Sequence, residues 1–297
     1  MLLDKKIPLG FILGKIKYDI LYIAIIGLAV YGIKRKYIYM LPDIPIAIPA
    51  FIGTAISVIL SFKLNQSYDR WWEARKIWGG IVNESRNLLL QLHAFIPATE
   101  RLHLRMIGHR QIVWCQALGR ALRGQEPLAG ADRLLTPEDL AELYRNSHVP
   151  LGILRMNAEH LARLRLAGHL DAYSHVQVNS TLAQLCSLMG MAERIKNTVF
   201  PVTYRLFLHL FIYLFIVTLS ISVKDIALYF ELPLLMVISA SFLLLEKSAK
   251  HLQDPFSNLP TDTPMTAIAT TIEMNIRQLL EERDLPKAPA PAEFYVM

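Results

Sequence analysis

The chain has 297 residues, of which 53% are hydrophobic and only 19% are charged, and its formal net charge at pH 7 is +6. A water-soluble protein of this length rarely needs so much apolar surface, so the balance indicates a membrane protein with a sizeable polar part. The basic residues form no stripe with a recognisable motif, so we do not expect nucleic-acid binding.

Four strongly apolar stretches lack Lys and Arg, and we interpret each as a membrane span. In chain order they cover residues 20–33, 44–62, 206–223 and 226–245. A spanning helix needs about 20 residues, because the hydrocarbon core is roughly 30 Å thick and a helix rises about 1.5 Å per residue. The first stretch is short, but Lys17 and Lys34 can extend it by snorkelling.

The spans divide the chain into four predicted parts. These are an N-terminal segment with transmembrane helices 1 and 2 (1–62), a cytosolic helical region (63–200), transmembrane helices 3 and 4 (201–246), and a cytosolic C-terminal segment with a mobile Pro/Ala-rich tail (247–297). Apolar residues recur every three to four positions in the polar region, which predicts helices. Thr136 is the expected N-cap of one helix, with Pro137 at its first position. The predicted fold class is an all-α membrane protein with four transmembrane helices and a cytosolic helical bundle.

The basic residues also predict the orientation of the chain. Most of those near the spans lie on the side that both termini share, which places the termini in the cytoplasm. The run Lys34-Arg35-Lys36 argues the other way, because it lies outside in this arrangement. Cys115 and Cys186 then fall in the cytosol, where reduced thiols are the default.

Enzymatic chemistry has no support in the sequence. The chain contains no nucleophile elbow, HExxH motif, phosphate-binding loop or dinucleotide fingerprint, so we expect no catalytic residue, cofactor or metal. His209 and Glu231 lie in or beside spans, where ionisable groups are functional candidates by default. Glu231 precedes Pro233 near a predicted helix end, which favours an interfacial position, and for His209 chemistry and a protein-facing role stay open.

The second span has two different halves. Pro45 and Pro49 are expected to interrupt its first half. Neither Pro nor Gly occurs from Thr54 to Trp78, which predicts about 37 Å of unbroken helix that leaves the membrane without a hinge. Spacing by four gives one face, formed by Ala50, Thr54, Val58, Phe62 and Gln66. Such a face can pack closely against another helix or line a pore gated by dewetting, and periodicity alone does not choose between them.

Three segments resemble the bestrophin family. They are "NQSYDRWWEARKIWG" after span two, "GMAERIKNTVFPVTY" before span three, and "LQDPFSNLPTDTPM" after span four, with the signature Asp254, Pro255 and Phe256. The resemblance covers nearly the whole chain and is strongest to the bacterial branch, which implies a bacterial inner membrane. It implies a homopentameric ion channel whose single central pore is lined by the second helix. The partners would be permeant ions, the lipid bilayer and other copies of the chain.

The resemblance also implies roles for individual residues. The hydrophobic neck of the pore falls at Thr54, Val58 and Phe62, the pore exit at Asn65 and Gln66, and a cytosolic aperture near Tyr173 or Ser174. Because the family usually has apolar residues at all three neck positions, Thr54 departs from the pattern. We therefore expect the barrier at Val58 and Phe62.

The motif after span two is interpreted as a structural collar. Its residues are Arg70, Trp71, Trp72, Glu73 and Arg75. An Arg70–Glu73 pair and Arg side chains on Trp faces would hold the helix where it leaves the membrane. Animal members bind Ca²⁺ through an acidic run after the signature, where this chain has only Asp262. One carboxylate cannot supply the several oxygen ligands of Ca²⁺, so we expect no Ca²⁺ gating by this route.

Ion selectivity and the rival functions stay open at this point. Lys34, Arg35 and Lys36 near the outer mouth would attract anions, whereas a ring of Asp43 would attract cations. Most members of the family pass chloride, and some bacterial ones pass monovalent cations such as sodium. A secondary transporter, or a non-conducting membrane scaffold or sensor, is the alternative to a channel. No second segment mirrors the interruption at Pro49, which disfavours the internal repeat of a transporter.

Overall fold

A computed structural model of the protein describes residues 8–37, 39, 41–199, 202–223, 227–287, 290 and 295. The fold of these residues is all-α. The helices are α1 (Leu9–Tyr37), α2 (Ala47–Phe95), α3 (Arg101–Leu122), α4 (Pro137–Leu143), α5 (Val149–Leu166), α6 (Ala172–Asn197), α7 (Val202–Ser222), α8 (Leu228–Gln253) and α9 (Met265–Leu279). Most of the tail that the sequence predicts to be mobile, from Pro286 onward, lies outside the described residues.

Four of these helices are long and apolar enough to cross a membrane. The candidate spans are Gly14–Tyr37, Ala47–Phe95, Thr203–Ser222 and Leu228–Gln253. Each predicted apolar stretch overlaps one of them, so the prediction of four membrane helices is confirmed. Helix α1 is much longer than its apolar stretch, since the lysine-containing segments on both sides of the stretch are also helical.

Helix α2 is longer and more regular than the sequence predicts. The expected interruption is confirmed at Pro45, which lies before the helix, and is wrong at Pro49, because α2 begins at Ala47 and Pro49 lies in its first turn. There the missing backbone N–H has no intrahelical acceptor to lose. The predicted unbroken helix is confirmed, and it continues through Gly79 and Gly80 to Phe95. A Cβ on Gly80 would lie 2.8 Å from Leu188 Cδ2, so glycine allows α6 to approach α2 closely.

The chain forms two compact units, and α2 contributes residues to both. The first, which we call the membrane unit, comprises the described residues of Asp4–Arg70 and Val199–Asp254. It contains α1, the first part of α2, α7 and α8. Its buried core is aliphatic and aromatic, with Ile23, Ile56, Ile212, Phe215 and Leu235 at its centre.

The second unit, which we call the polar unit, comprises Trp71–Thr198 and the segment that begins at Pro255. Its core is built around Trp78 and Trp114, which are completely buried. Thr136 caps α4 as predicted, since the backbone N–H of Asp139 donates to Thr136 Oγ1 at 3.2 Å. The polar unit is therefore a helical bundle with its own core.

Candidate functional site

The two faces of α2 in the membrane unit have opposite environments. Ile56 is completely buried and Leu60 is 3% exposed. Val58 and Phe62, which lie on another face of the same turns, are 50% and 62% exposed. Thr54 continues this second face and is also exposed. The membrane unit therefore leaves the predicted neck residues uncovered, in one row along α2.

The departure at Thr54 has a local structural account. Its hydroxyl donates to the backbone carbonyl of Ala50 in the same helix at 2.9 Å. A threonine that bonds back in this way satisfies its own donor and needs no partner on another helix. One turn of helix beyond Phe62, the polar side chains of Asn65 and Gln66 are exposed. The exposed side of α2 thus changes from polar Thr54 to apolar Val58 and Phe62 and then back to polar Asn65 and Gln66.

Close helix packing, the other interpretation of this span, is present on a different face. A Cβ on Gly53 would lie 3.2 Å from Cε2 of Phe215 in α7, which is closer than side chains ordinarily approach. The hydroxyl of Tyr204 donates to the carbonyl of Ile59 at 3.1 Å. One face of α2 therefore packs against α7, and the row Thr54, Val58, Phe62 lies on the exposed face.

A buried ion pair fixes α2 directly after Phe62. Lys63 Nζ lies 2.8 Å from Glu246 Oε1 in α8, and the two side chains are 2% and 3% exposed. His209 Nε2 of α7 lies 3.8 Å from the other oxygen of Glu246. The sequence singles out His209 but not its carboxylate partner, because an isolated Glu after an apolar stretch carries no signal of a buried pair. His209 thus lies beside this buried ion pair within the membrane unit.

A second buried ion pair changes the assignment of Lys34. Lys34 Nζ donates to Glu231 Oε2 at 2.7 Å and to the carbonyls of Ser220 and Val223 at 3.0 and 2.7 Å. The hydroxyl of Ser220 donates to the other oxygen of Glu231 at 2.6 Å. Glu231 lies in the first turn of α8 and is 2% exposed, and its charge is tolerated inside the protein because it is paired. Its interfacial position in the membrane stays a prediction.

The charges expected at an outer mouth must be corrected accordingly. Lys34 is 5% exposed and its charge is compensated by Glu231, so it is not a free basic group. Arg35 and Lys36 at the end of α1 are exposed, and so is Asp43 in the segment before α2. The set of candidate mouth charges is thereby reduced to Arg35, Lys36 and Asp43.

Two of the sequence motifs meet in the polar unit. The indole N–H of Trp71 donates to the carbonyl of Thr261 at 3.0 Å. Phe256, from the signature after span four, is 1% exposed in the core of the same unit. Phe256 and Thr261 belong to one loop, which is closed by the backbone N–H of Thr263 donating to the carbonyl of Pro255 at 3.1 Å. The signature therefore folds against the start of the polar part of α2.

The ion pairs of the collar differ from the expected one. Glu73 forms its ion pair with Lys76, one turn further along α2, at 2.6 Å. The carboxylate that favours the charge of Arg70 is Asp254, the first residue of the signature. The rings of Trp71 and Trp72 are inclined by 30° with their centroids 6.3 Å apart. The expected Arg70–Glu73 pair is thus replaced by a Glu73–Lys76 pair within α2, whereas the carboxylate that acts on Arg70 comes from a distant part of the chain.

Asp262 has a structural position rather than an outward-facing one. It is 1% exposed, and its Oδ2 accepts a hydrogen bond from the backbone N–H of Leu259 at 3.0 Å. Burial raises the pKa of this carboxyl group above its usual range. Within the part of the chain that the structure describes, no three His, Cys, Asp or Glu side chains are grouped as a metal site would require.

The residues predicted at a cytosolic aperture start helix α6. Asp171 is the N-cap, and its carboxylate accepts from the backbone N–H groups of Tyr173 and Ser174 at 2.8 and 3.1 Å. The hydrogen bond from the Ser174 hydroxyl, together with these backbone hydrogen bonds, lowers the pKa of Asp171. The side chain of Tyr173 is 91% exposed in the single chain. The structure thus gives this pair a fixed backbone and a free aromatic side chain.

Comparison with known proteins identifies the family. The sequence model described as "Bacterial/Fungal Bestrophin protein" matches residues 6–278. The chain belongs to the bestrophin family. The protein "Voltage-dependent anion channel-forming protein YneE" of Escherichia coli strain K12 is 30% identical over 287 residues, which cover 96% of this chain and 93% of the relative. Its counterpart in Salmonella typhi is 31% identical over 288 residues, with the same coverage of both chains.

The fold of this bestrophin is also that of a solved relative. A crystal structure of a bacterial bestrophin homolog from Klebsiella pneumoniae matches with a TM-score of 0.84 at 28% sequence identity. The match covers 91% of this chain and all of the homolog. Family, relatives and the four apolar helices together identify a membrane-embedded ion channel rather than an enzyme.

Proposed function

We propose that this bestrophin assembles as a homopentamer around one central pore, that α2 lines the pore, and that the pore conducts small monovalent anions such as chloride. The single observation that carries the proposal is the row Thr54, Val58 and Phe62. These side chains are exposed on α2, whereas the opposite face of the same turns is buried in the membrane unit. Five copies are the assembly that the family resemblance implies.

The chemistry of the row supports a gate at Val58 and Phe62. When copies of α2 surround one axis, the two side chains repeat as apolar rings. A narrow apolar ring resists ion passage because water leaves it and an ion there loses its hydration shell. Asn65 and Gln66 follow as polar groups on the exit side. The gate would thus be a short dry section between wetter ones.

Charge selectivity must come from outside the neck. No charged side chain lies on the proposed pore face from Thr54 to Gln66, and Lys63 is directed into its pair with Glu246. Anions are favoured by the exposed basic groups of Arg35 and Lys36 and by the names of the relatives, which describe them as anion channel-forming. A monovalent cation is the second candidate, because Asp43 is exposed before the start of α2.

The other assignments are proposals of the same kind. We propose that both termini lie on the cytoplasmic side of a bacterial inner membrane, as the distribution of basic residues predicts. We propose that Tyr173 and Ser174 form a second aperture and that the collar from Arg70 to Arg75 supports α2. The Trp71–Thr261 hydrogen bond supports the role of the collar.

Planar-bilayer recording of the purified full chain tests the function. The expected result is single-channel steps whose reversal potential under a KCl gradient lies near the chloride equilibrium potential. A reversal potential near that of potassium would replace the anion assignment by the cation one. Absence of steps in bilayers that incorporate the protein would contradict a channel. Light scattering of the detergent-solubilised protein tests the assembly, and a monomer there would contradict the central pore.

A further inference from the structure

A basic pocket of about 450 Å³ lies at one end of the membrane unit. Three helices provide its basic lining, namely Lys15 of α1, Arg205 and His209 of α7, and Lys247, Lys250 and His251 of α8. The pore face of α2 does not contribute to it. The pocket is therefore separate from the row of neck residues described above.

The carboxylates at the pocket are already engaged. Glu246, which also lines the pocket, is paired with Lys63 of α2 at 2.8 Å. The ammonium group of Lys247 is held by the carboxylate of Asp19 and the carbonyl of Lys15. Arg205 and Lys250 are exposed at the rim, and each adds a full positive charge. The pocket consequently has an excess of positive charge.

The pocket lies at the ends of the apolar stretches of two spans. Arg205 directly precedes the stretch 206–223, and Lys247 and Lys250 follow the stretch 226–245. Residues at such ends lie at the depth of the lipid headgroups, where anionic lipids attract Lys and Arg. Basic pockets between membrane helices are suited to phosphate headgroups. A soluble phosphate offers the same chemistry but lacks acyl chains to lie along the apolar helices.

We propose that this pocket binds the phosphate headgroup of an anionic glycerophospholipid. The phosphate oxygens accept hydrogen bonds from the guanidinium group of Arg205 and the ammonium group of Lys250. The glycerol and acyl chains follow the exposed apolar surface of α7 beyond Arg205, which includes Leu206 and Phe207. Glu246 remains paired with Lys63, so the bound anion does not meet an uncompensated carboxylate.

Native mass spectrometry of the purified full chain in detergent tests the proposal without requiring ion conduction. Phosphatidylglycerol and phosphatidylcholine are added separately at increasing concentration, and the bound lipid per protomer is measured. The test variant is Arg205→Gln/Lys250→Gln, which removes two exposed charges and no ion pair that stabilises the membrane unit. The matched control, Arg163→Gln/Arg165→Gln, removes two exposed charges from α5 in the polar unit.

The expected result is tighter retention of phosphatidylglycerol than of phosphatidylcholine by the parent protein. The pocket variant should bind phosphatidylglycerol about twenty-five times more weakly, since each of the two cations near an anionic headgroup is worth roughly a factor of five. The control should bind like the parent. Equal binding by parent and pocket variant, or equal loss in the control, would overturn the proposal.

A third arm distinguishes a lipid from a soluble ligand. Inorganic phosphate at millimolar concentration is added to the protein that carries phosphatidylglycerol. Retention of the lipid supports the lipid assignment. Displacement of the lipid at concentrations where phosphate itself binds through Arg205 and Lys250 would assign the pocket to a soluble phosphate and overturn the lipid proposal.

Discussion

The ion pair between Lys63 and Glu246 gives a sharp prediction about stability. The replacement Glu246→Gln leaves the Lys63 ammonium buried without the carboxylate that lies 2.8 Å away. Breaking a buried pair from one side costs about 3–5 kcal/mol, because an uncompensated charge stays out of water. The replacement Lys63→Met should cost less than Glu246→Gln, since the 37% exposed His209 at 3.8 Å still partners the carboxylate.

The double variant Lys63→Met/Glu246→Gln should recover most of the lost stability. It removes both charges and keeps similar side-chain volume, and such replacements of buried pairs are often neutral. Comparison of the two single variants with the double variant should therefore give a coupling energy between Lys63 and Glu246 of about 3 kcal/mol or more. The expected single-variant shift of the unfolding midpoint is on the order of 5–10 °C.

The assay must report on the membrane unit. All four Trp residues lie in the polar unit, so their fluorescence would follow the wrong part of the chain. Size-exclusion chromatography of samples heated in one detergent measures the surviving assembly instead. The control is the exposed pair Lys76–Glu73, whose side chains are 57% and 40% exposed and whose removal should cost at most about 1 kcal/mol.

Two outcomes would refute this reasoning. One is a Glu246→Gln variant as stable as the parent, which would mean that water reaches Lys63. The other is a double variant that loses the sum of the two single effects, which would mean that the two side chains are not coupled.

Three further predictions concern the gate and the polar unit. Phe62→Ala should raise single-channel conductance, because it widens the apolar ring. The control Phe207→Ala, which changes an exposed Phe on α7, should leave the conductance unchanged. Unchanged conductance in Phe62→Ala would rule out this pore face. Burial and the neighbouring guanidinium group of Arg110 lower the pKa of His160 to about 4, below its value of about 6.5 in the unfolded chain. Between pH 7 and pH 5 the His160 side chain therefore gains a proton in the unfolded chain but not in the folded one. The free energy of unfolding of the polar unit should drop by roughly 2 kcal/mol over this range, as measured by urea unfolding followed by Trp fluorescence. The variant His160→Gln should remove most of that pH dependence. Burial raises the pKa of the Cys115 thiol to about 12. Maleimide at pH 8 should therefore label Cys186 in the folded protein and Cys115 only after unfolding. Rapid labelling of Cys115 in the folded protein would contradict its burial.

Features set by local periodicity were predictable from the sequence. Apolar runs of membrane length mark the four spans, because each helix must bury its backbone groups within itself in lipid. The cap at Thr136 follows from a three-residue pattern, since the hydroxyl and the N–H that it accepts from are neighbours in the chain. The row Thr54, Val58, Phe62 was also visible, because a spacing of four fixes one face of a helix.

Sequence reasoning failed where the outcome depended on the exact start of a helix or on a partner far away in the chain. Pro49 looked like an interruption, but only the position of the helix start decides whether a proline breaks a helix or begins one. Lys34 looked like a free basic group because its sequence neighbours Arg35 and Lys36 are basic. Its actual neighbour is Glu231, 197 positions away.

The sequence by itself therefore determined the helices, their membrane length and the face of α2 that is proposed to line the pore. The tertiary structure alone decided which charges are compensated, as for Lys63 and Glu246 at a separation of 183 positions. It also decided that the collar meets the segment that carries the signature, through the hydrogen bond from Trp71 to Thr261. The physical reason is that a helix face depends on neighbours within one turn, whereas the effect of a charge depends on distance and burial, which are set by helices brought together only in the folded chain.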